Sequence, residues 1–158
     1  MVNQLSQREE ERFIELQLYA LNLAREGEVE TLLSMLQAGL HPNTKDTKGN
    51  SLLMLSAYNG HYECSKMLIE QGANVNESND HGHSILAGVA FKGYLEICRL
   101  LVENGAVIDR SPLRDPILFA SIFGRKEVVN YLQSQTESRA IYSVLSNPMF
   151  WLRKLKKT

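Results

Sequence analysis

His81 and His83 flank Gly82 and are the residues with the clearest chemical potential in this chain. Two imidazoles so close can share a metal ion, but a zinc site needs three or four ligands in a closed geometry. A third ligand in a closed geometry is not visible in the sequence, so they read as solvated loop histidines and no metal is expected. Cys64 and Cys98 could form a redox pair only at bridging distance. They read instead as small buried hydrophobes. Glu9, Glu10 and Glu11 form an exposed charged run rather than a tuned acid and base. The chain contains no G-x-S-x-G elbow, no HExxH helix and no paired CxxC. Its glycines end helices or turns instead of forming a phosphate loop. No catalytic set and no cofactor emerge, and the chain is expected not to be an enzyme.

The elements that would position such residues follow from a repeat. Gly27, Gly60 and Gly93 are 33 residues apart, as are Gly39, Gly72 and Gly105, and Gly49 and Gly82. Sliding residues 46–76 onto 79–109 gives ten identities in 31 positions, and the apolar pattern recurs with the glycines. Each unit reads as helix, tight turn, helix, loop. Ser51, Ser84 and Asp115 stand where a side chain can accept from the free N–H groups of a first turn. Pro116 suits a first helical position. Gly60, Gly93 and Gly124 are placed to end the first helices in a left-handed conformation. Second helices are predicted over roughly 61–71 and 94–104, stopped by Gly72 and Gly105. Ser6-Gln7-Arg8-Glu9 has capping-box spacing and predicts a long first helix from there to about Arg25. After Leu132 a separate helix is predicted over roughly 138–145, followed by Asn147-Pro148 and a basic, aromatic tail.

Residues 49–76 and 82–109 resemble ankyrin repeats, as do the more divergent segments LYALNLAREGEVETLLSMLQAGLHPN and DPILFASIFGRKEVVNYLQ. The resemblance covers about residues 18–133 and is to the compact ankyrin proteins common in bacteria. It implies an all-α solenoid of stacked helix-turn-helix units with projecting hairpin-like loops and helical caps. About four repeats are expected in one domain over 1–158: 6–45 with the N-terminal cap, 46–78, 79–110, a shortened copy over 111–135, and a C-terminal cap or tail over 136–158. The family's Thr-Pro-Leu-His signature appears only as Ser51-Leu52-Leu53-Met54, Ser84-Ile85-Leu86-Ala87 and Asp115-Pro116-Ile117-Leu118, so its repeat-tying histidine is missing. His61, after Gly60, stands where many ankyrin repeats carry a structural histidine. Gly93 and Gly124 are only 31 apart, which leaves the last loop two residues short.

The resemblance also implies recognition of another protein through a concave face built from loop tips and first-helix ends. By position, the loops give Thr47, Lys48, Asn50, Asp80, His81 and His83, and the helix ends give Arg25, Glu26, Tyr58, Asn59, Phe91, Lys92, Ile122 and Phe123. Tyr58, Phe91 and Ile122 recur at one place, two residues before the turn glycine, with Phe123 beside Ile122. An aligned exposed aromatic and aliphatic row suits an interface anchor. The alternative is that these side chains pack on one another between repeats.

Composition bounds the rest. An apolar fraction of 44% with 22% charged residues suits a folded core rather than disorder. A net charge of −1 gives no support to nucleic-acid binding. No signal-peptide pattern and no run of 18 apolar residues is visible, which makes a cytoplasmic monomer the expectation. Residues 8–30 carry seven Glu against three Arg, whereas 137–158 carry one Glu against Arg139, Arg153, Lys154, Lys156 and Lys157. That opposite charge makes the tail, with Trp151, Arg153, Lys154, Lys156 and Lys157, a possible contact for an anionic membrane surface or an acidic partner. Its alternative role is a cap over the last repeat.

Overall fold

A computed structural model describes residues 2–145, with side chains over 6–140. Its helices are α1 (Val2–Glu26), α2 (Val29–Gln37), α3 (Leu52–Tyr58), α4 (Tyr62–Glu70), α5 (Ile85–Lys92), α6 (Leu95–Glu103), α7 (Pro116–Ile122) and α8 (Lys126–Leu145). They form an all-α solenoid of two layers. In the inner layer α1 packs on α3, α3 on α5 and α5 on α7; in the outer layer α2 packs on α4, α4 on α6 and α6 on α8. Each unit thus touches its neighbours only, as stacked repeats must.

The sequence sets the beginning and end of each inner helix. The Ser51 and Ser84 hydroxyls accept from the backbone N–H of Met54 and Ala87, each at 3.1 Å. Asp115 accepts from Ile117 and Leu118 at 2.9 and 3.0 Å, with Pro116 opening the helix behind it. Gly60 and Gly93 reverse the chain at φ +83° and Gly124 at +68°, where any other residue would be strained. Between units the loops project as narrow hairpins, closed by isolated antiparallel bridges between Lys45 and Ser51 and between Ser78 and Ser84. Asn43 and Asn76, 33 residues apart, staple neighbouring loops: their side-chain oxygens accept from the backbone N–H of Asn74 at 2.8 Å and Val107 at 2.9 Å.

The core runs between the layers. Leu21, Leu32, Leu52, Leu53, Leu68, Ile85, Leu86, Leu101 and Leu132 are essentially fully buried. Ser56 and Ser65, also buried, hydrogen-bond each other at 3.0 Å, and both hydroxyls reach the His61 carbonyl. No buried side-chain N or O lacks a partner among the described residues.

Repeats are also tied at their turns. His61, Tyr94 and Arg125 each follow a turn glycine and fold over the turn glycine of the preceding unit. The His61 ring lies against Gly27 and its Nε2 meets the Arg25 carbonyl oxygen at 2.8 Å. The Tyr94 ring lies against Gly60. Arg125 covers Gly93 and donates from Nε to the Phe91 carbonyl at 3.1 Å. These contacts join neighbouring repeats at the end of the inner helices opposite the place of the missing signature histidine.

Two helix ends differ from expectation. α1 starts at Val2, ahead of the Ser6–Glu9 box, because no residue from Val2 to Leu5 breaks a helix. The segment 138–145 is no separate helix but the second half of α8. Thr136 stands where Gly72 and Gly105 stop the earlier outer helices, and without a left-handed residue there the helix runs on.

Candidate functional site

Inner helices α3 and α5 are buried over most of their length and reach solvent mainly near their C-terminal ends, at Tyr58, Phe91 and Lys92, while α7 also exposes Leu118, Ser121 and Ile122; the three helices are almost free of charge. The loops before them stand at one edge of this surface. Each loop is held by an Asx turn: Asp46 Oδ1 accepts from the N–H groups of Lys48 and Asn50, both at 2.9 Å, and Asn79 Oδ1 from those of His81 and His83 at 3.1 and 3.0 Å. Burial alone would push the Asp46 carboxyl up. The Asn50 amide, the two backbone donors and the Arg25 charge outweigh it and hold the group below the ordinary 3.8.

Between α3 and α5 the surface opens into a groove of about 380 Å³. Leu55, Ile85 and Gly88 form its floor, Tyr58, Phe91 and Phe119 its walls, and Asn50, Asn79, His83 and Ser84 its polar end. The Tyr58 and Phe91 rings lie nearly parallel with centroids 6.4 Å apart, and Phe123 meets Phe91 edge-on at 4.4 Å. Lys92 Nζ sits 5.1 Å from the centre of the Tyr58 ring. The polar end is largely self-satisfied: Asn79 donates to Asn50 at 3.0 Å, Asn50 donates to Asp46 at 3.1 Å, and Ser84 accepts from its own helix.

Several expected contact residues line or border this groove: Asn50, Tyr58, His83 and Phe91 directly, with Lys92 and Phe123 touching its aromatic walls. Thr47, Lys48, Asp80 and His81 are exposed around the loop tips. Arg25 is already engaged, with Asp46 at 3.1 Å and Asn22 at 2.7 Å, and Glu26 beside it is exposed. Asn59 donates back to the Leu55 carbonyl at 2.7 Å. Ile122 is 63% exposed, and Phe123, not Ile122, continues the ring row. His81 and His83 have ring centroids 6.2 Å apart, and no group of three or more His, Cys, Asp or Glu able to hold a metal occurs among the described residues. Cys64 and Cys98 are buried free thiols. Burial pushes the Cys98 thiol up to about 12 and raises Cys64 as well. Trp151, Arg153, Lys154, Lys156 and Lys157 lie outside the described residues. No described helix is long and apolar enough to cross a membrane.

Two features escape position-by-position reading. Gly88 lies inside α5, where glycine costs about 1 kcal/mol relative to alanine. Counting five residues back from each turn glycine puts it level with Leu55 and Phe119, and the Tyr58 ring packs where its side chain would stand, 3.2 Å from the position of a Cβ. The second is α1, whose buried stripe of Ala20, Leu21, Leu23 and Ala24 continues toward its N-terminus as exposed Phe13, Ile14 and Leu16.

The profile of ankyrin repeats, in three copies, matches residues 20–112. An ankyrin repeat protein of Pseudomonas aeruginosa is 46% identical over 46 residues. That match covers 29% of this chain and 27% of the relative, so it spans about a quarter of the relative's length.

Proposed function

Because the chain belongs to the ankyrin-repeat family, generally a non-enzymatic protein-interaction fold, we propose that it binds a protein partner through the concave groove and its loop tips. The carrying observation is the groove itself: an apolar lining with the exposed Tyr58 ring and the half-buried Phe91 and Phe119 rings, on a stack whose buried polar groups are all satisfied among the described residues. Aromatic side chains at such a site dominate interface energies. The stack and its Asx turns hold them in place, so little order is lost on binding. The role is that of an adaptor, inhibitor or accessory factor, acting as a monomer without nucleic acid. Two buried unpaired cysteines suit a reducing, cytoplasmic setting.

The test compares immobilised wild type with the Tyr58→Ala/Phe91→Ala double variant and with Lys66→Ala on the outer layer. Proteins retained from a lysate of the natural source should be lost with the double variant and kept with Lys66→Ala, while both variants melt cooperatively. Equal retention by all three would refute the concave reading.

A further inference from the structure

We propose that the chain after Leu145 turns back and covers the open end of the stack, laying Trp151, Leu152 and Leu155 on Leu118, Ile122 and Val129. This goes beyond the concave reading and does not rest on it.

The open end shows when equivalent positions are compared. Met54, Ala87 and Leu118 stand six residues before their turn glycines, and Ala57, Ala90 and Ser121 stand three before. Met54, Ala57, Ala87 and Ala90 are buried, because a further unit is stacked on each of theirs. Leu118 is 44% exposed and Ser121 is exposed too. The outer layer agrees. Ser65 and Cys98, five residues after their glycines, are fully buried, whereas Val129 is half-buried. Val102, nine after, is buried, whereas Gln133 is exposed. Tyr131 faces α6, with the Arg99 guanidinium 4.9 Å from its ring centre. Val129 stands on the other flank of the buried Val128 and Leu132, away from the stack. A terminal unit needs a polar outer face. Ser121 and Gln133 meet that need, but Leu118, Val129 and the 63% exposed Ile122 leave an apolar strip. Among the described residues no further unit covers it.

The segment that follows has the right composition and reach. Met149-Phe150-Trp151-Leu152 and Leu155 are apolar, with Arg153, Lys154, Lys156 and Lys157 between and after them to stay in water. Pro148 disfavours helix at Asn147 and so supplies a break at which the chain can reverse. Leu118 is level with the second turn of α8, which makes the distance back from Leu145 about 22 Å at 1.5 Å per residue. Leu155 can return about 34 Å in an extended course. It still returns about 23 Å if residues 149–155 are helical. Either course brings the apolar residues to the uncovered strip.

Trp151 is the single tryptophan, so the fluorescence of the full chain reports the contact directly. In the folded wild type its emission should lie at shorter wavelength than in urea. Leu118→Asp/Ile122→Asp, at two exposed positions, should shift it to the urea value while a cooperative melt persists. A nitroxide on Asn130→Cys, at the rim of the strip, should quench Trp151, and one on Lys66→Cys, on α4, should not; Cys64 and Cys98 are buried. This pair decides the matter if the aspartate variant fails to fold. Wild-type emission already at the urea value would overturn the proposal. So would a short-wavelength emission that the folded aspartate variant retains, or equal quenching from both labels. A shift that appears only with phosphatidylserine vesicles would assign the segment to an anionic membrane. A shift lost on dilution, together with a dimer in sedimentation, would assign it to a second copy. Either result also overturns the proposal.

Discussion

Replacing Gly27 with alanine isolates the contact that ties one turn to the next. Gly27 has φ +78°, and a Cβ there would lie 2.5 Å from Cγ and Nδ1 of His61. Two costs follow. Holding an alanine in the left-handed region costs about 1–2 kcal/mol. Pushing the imidazole away breaks its 2.8 Å contact with the Arg25 carbonyl, worth about 1 kcal/mol. The variant should therefore lose about 2–3 kcal/mol. Gly72 is the control: its φ is +91° with nothing within 4 Å of an added Cβ, so Gly72→Ala should carry the conformational cost alone. In a His61→Ala background the clash disappears, and Gly27→Ala should fall to about the Gly72→Ala value. Urea denaturation of the wild type, the two single variants and the double variant measures this as a coupling of about 1 kcal/mol. Strict additivity would show that His61 does not lock the turn and would refute the reasoning.

Asp115→Ala removes a buried cap that holds two backbone N–H groups and Arg110. It should cost about 2 kcal/mol by urea midpoint, and Asp115→Asn less, because an acceptor remains. The folded Asp46 carboxyl lies below its ordinary value, so its contribution is full above pH 3.8 and is lost as pH falls through the depressed value. Asp46→Asn should flatten the acid limb of a stability–pH curve, with the half-buried Asp109 carboxyl, lowered by its Ser111 hydrogen bonds, still contributing to that limb. With burial raising both thiols and Cys98 near 12, neither should react with iodoacetamide at about pH 8 in the folded protein. Both should label in urea, as counted by mass spectrometry.

The repeat was legible because each turn needs one left-handed residue, and only glycine supplies it at no cost. The same rule locates what reading the sequence missed. A separate helix over 138–145 looked reasonable after Leu132, yet Thr136 offers no left-handed stop and α8 continues. The Ser6–Glu9 spacing suggested a start, but a capping box stabilises an end without creating one, and α1 begins at Val2.

At the groove, counting back from the glycines identified Tyr58 and Phe91. In the last unit it led to Ile122, whereas Phe123 at the helix end turns its ring onto Phe91. Gly88 was illegible for another reason: a glycine within a helix reads as a weak spot until its row is compared across units. His61 was legible as structural from the resemblance, whereas the same role for Tyr94 and Arg125 was hidden because three chemically unlike side chains do one job.

Site-specific photocrosslinking tests the concave face most directly. A benzophenone amino acid is placed at Phe91, in the groove, or at Glu96, on the outer layer, within cells that naturally make the protein. The account expects protein adducts from position 91 and none from 96. Adducts from 96 alone, or from neither position, would contradict it.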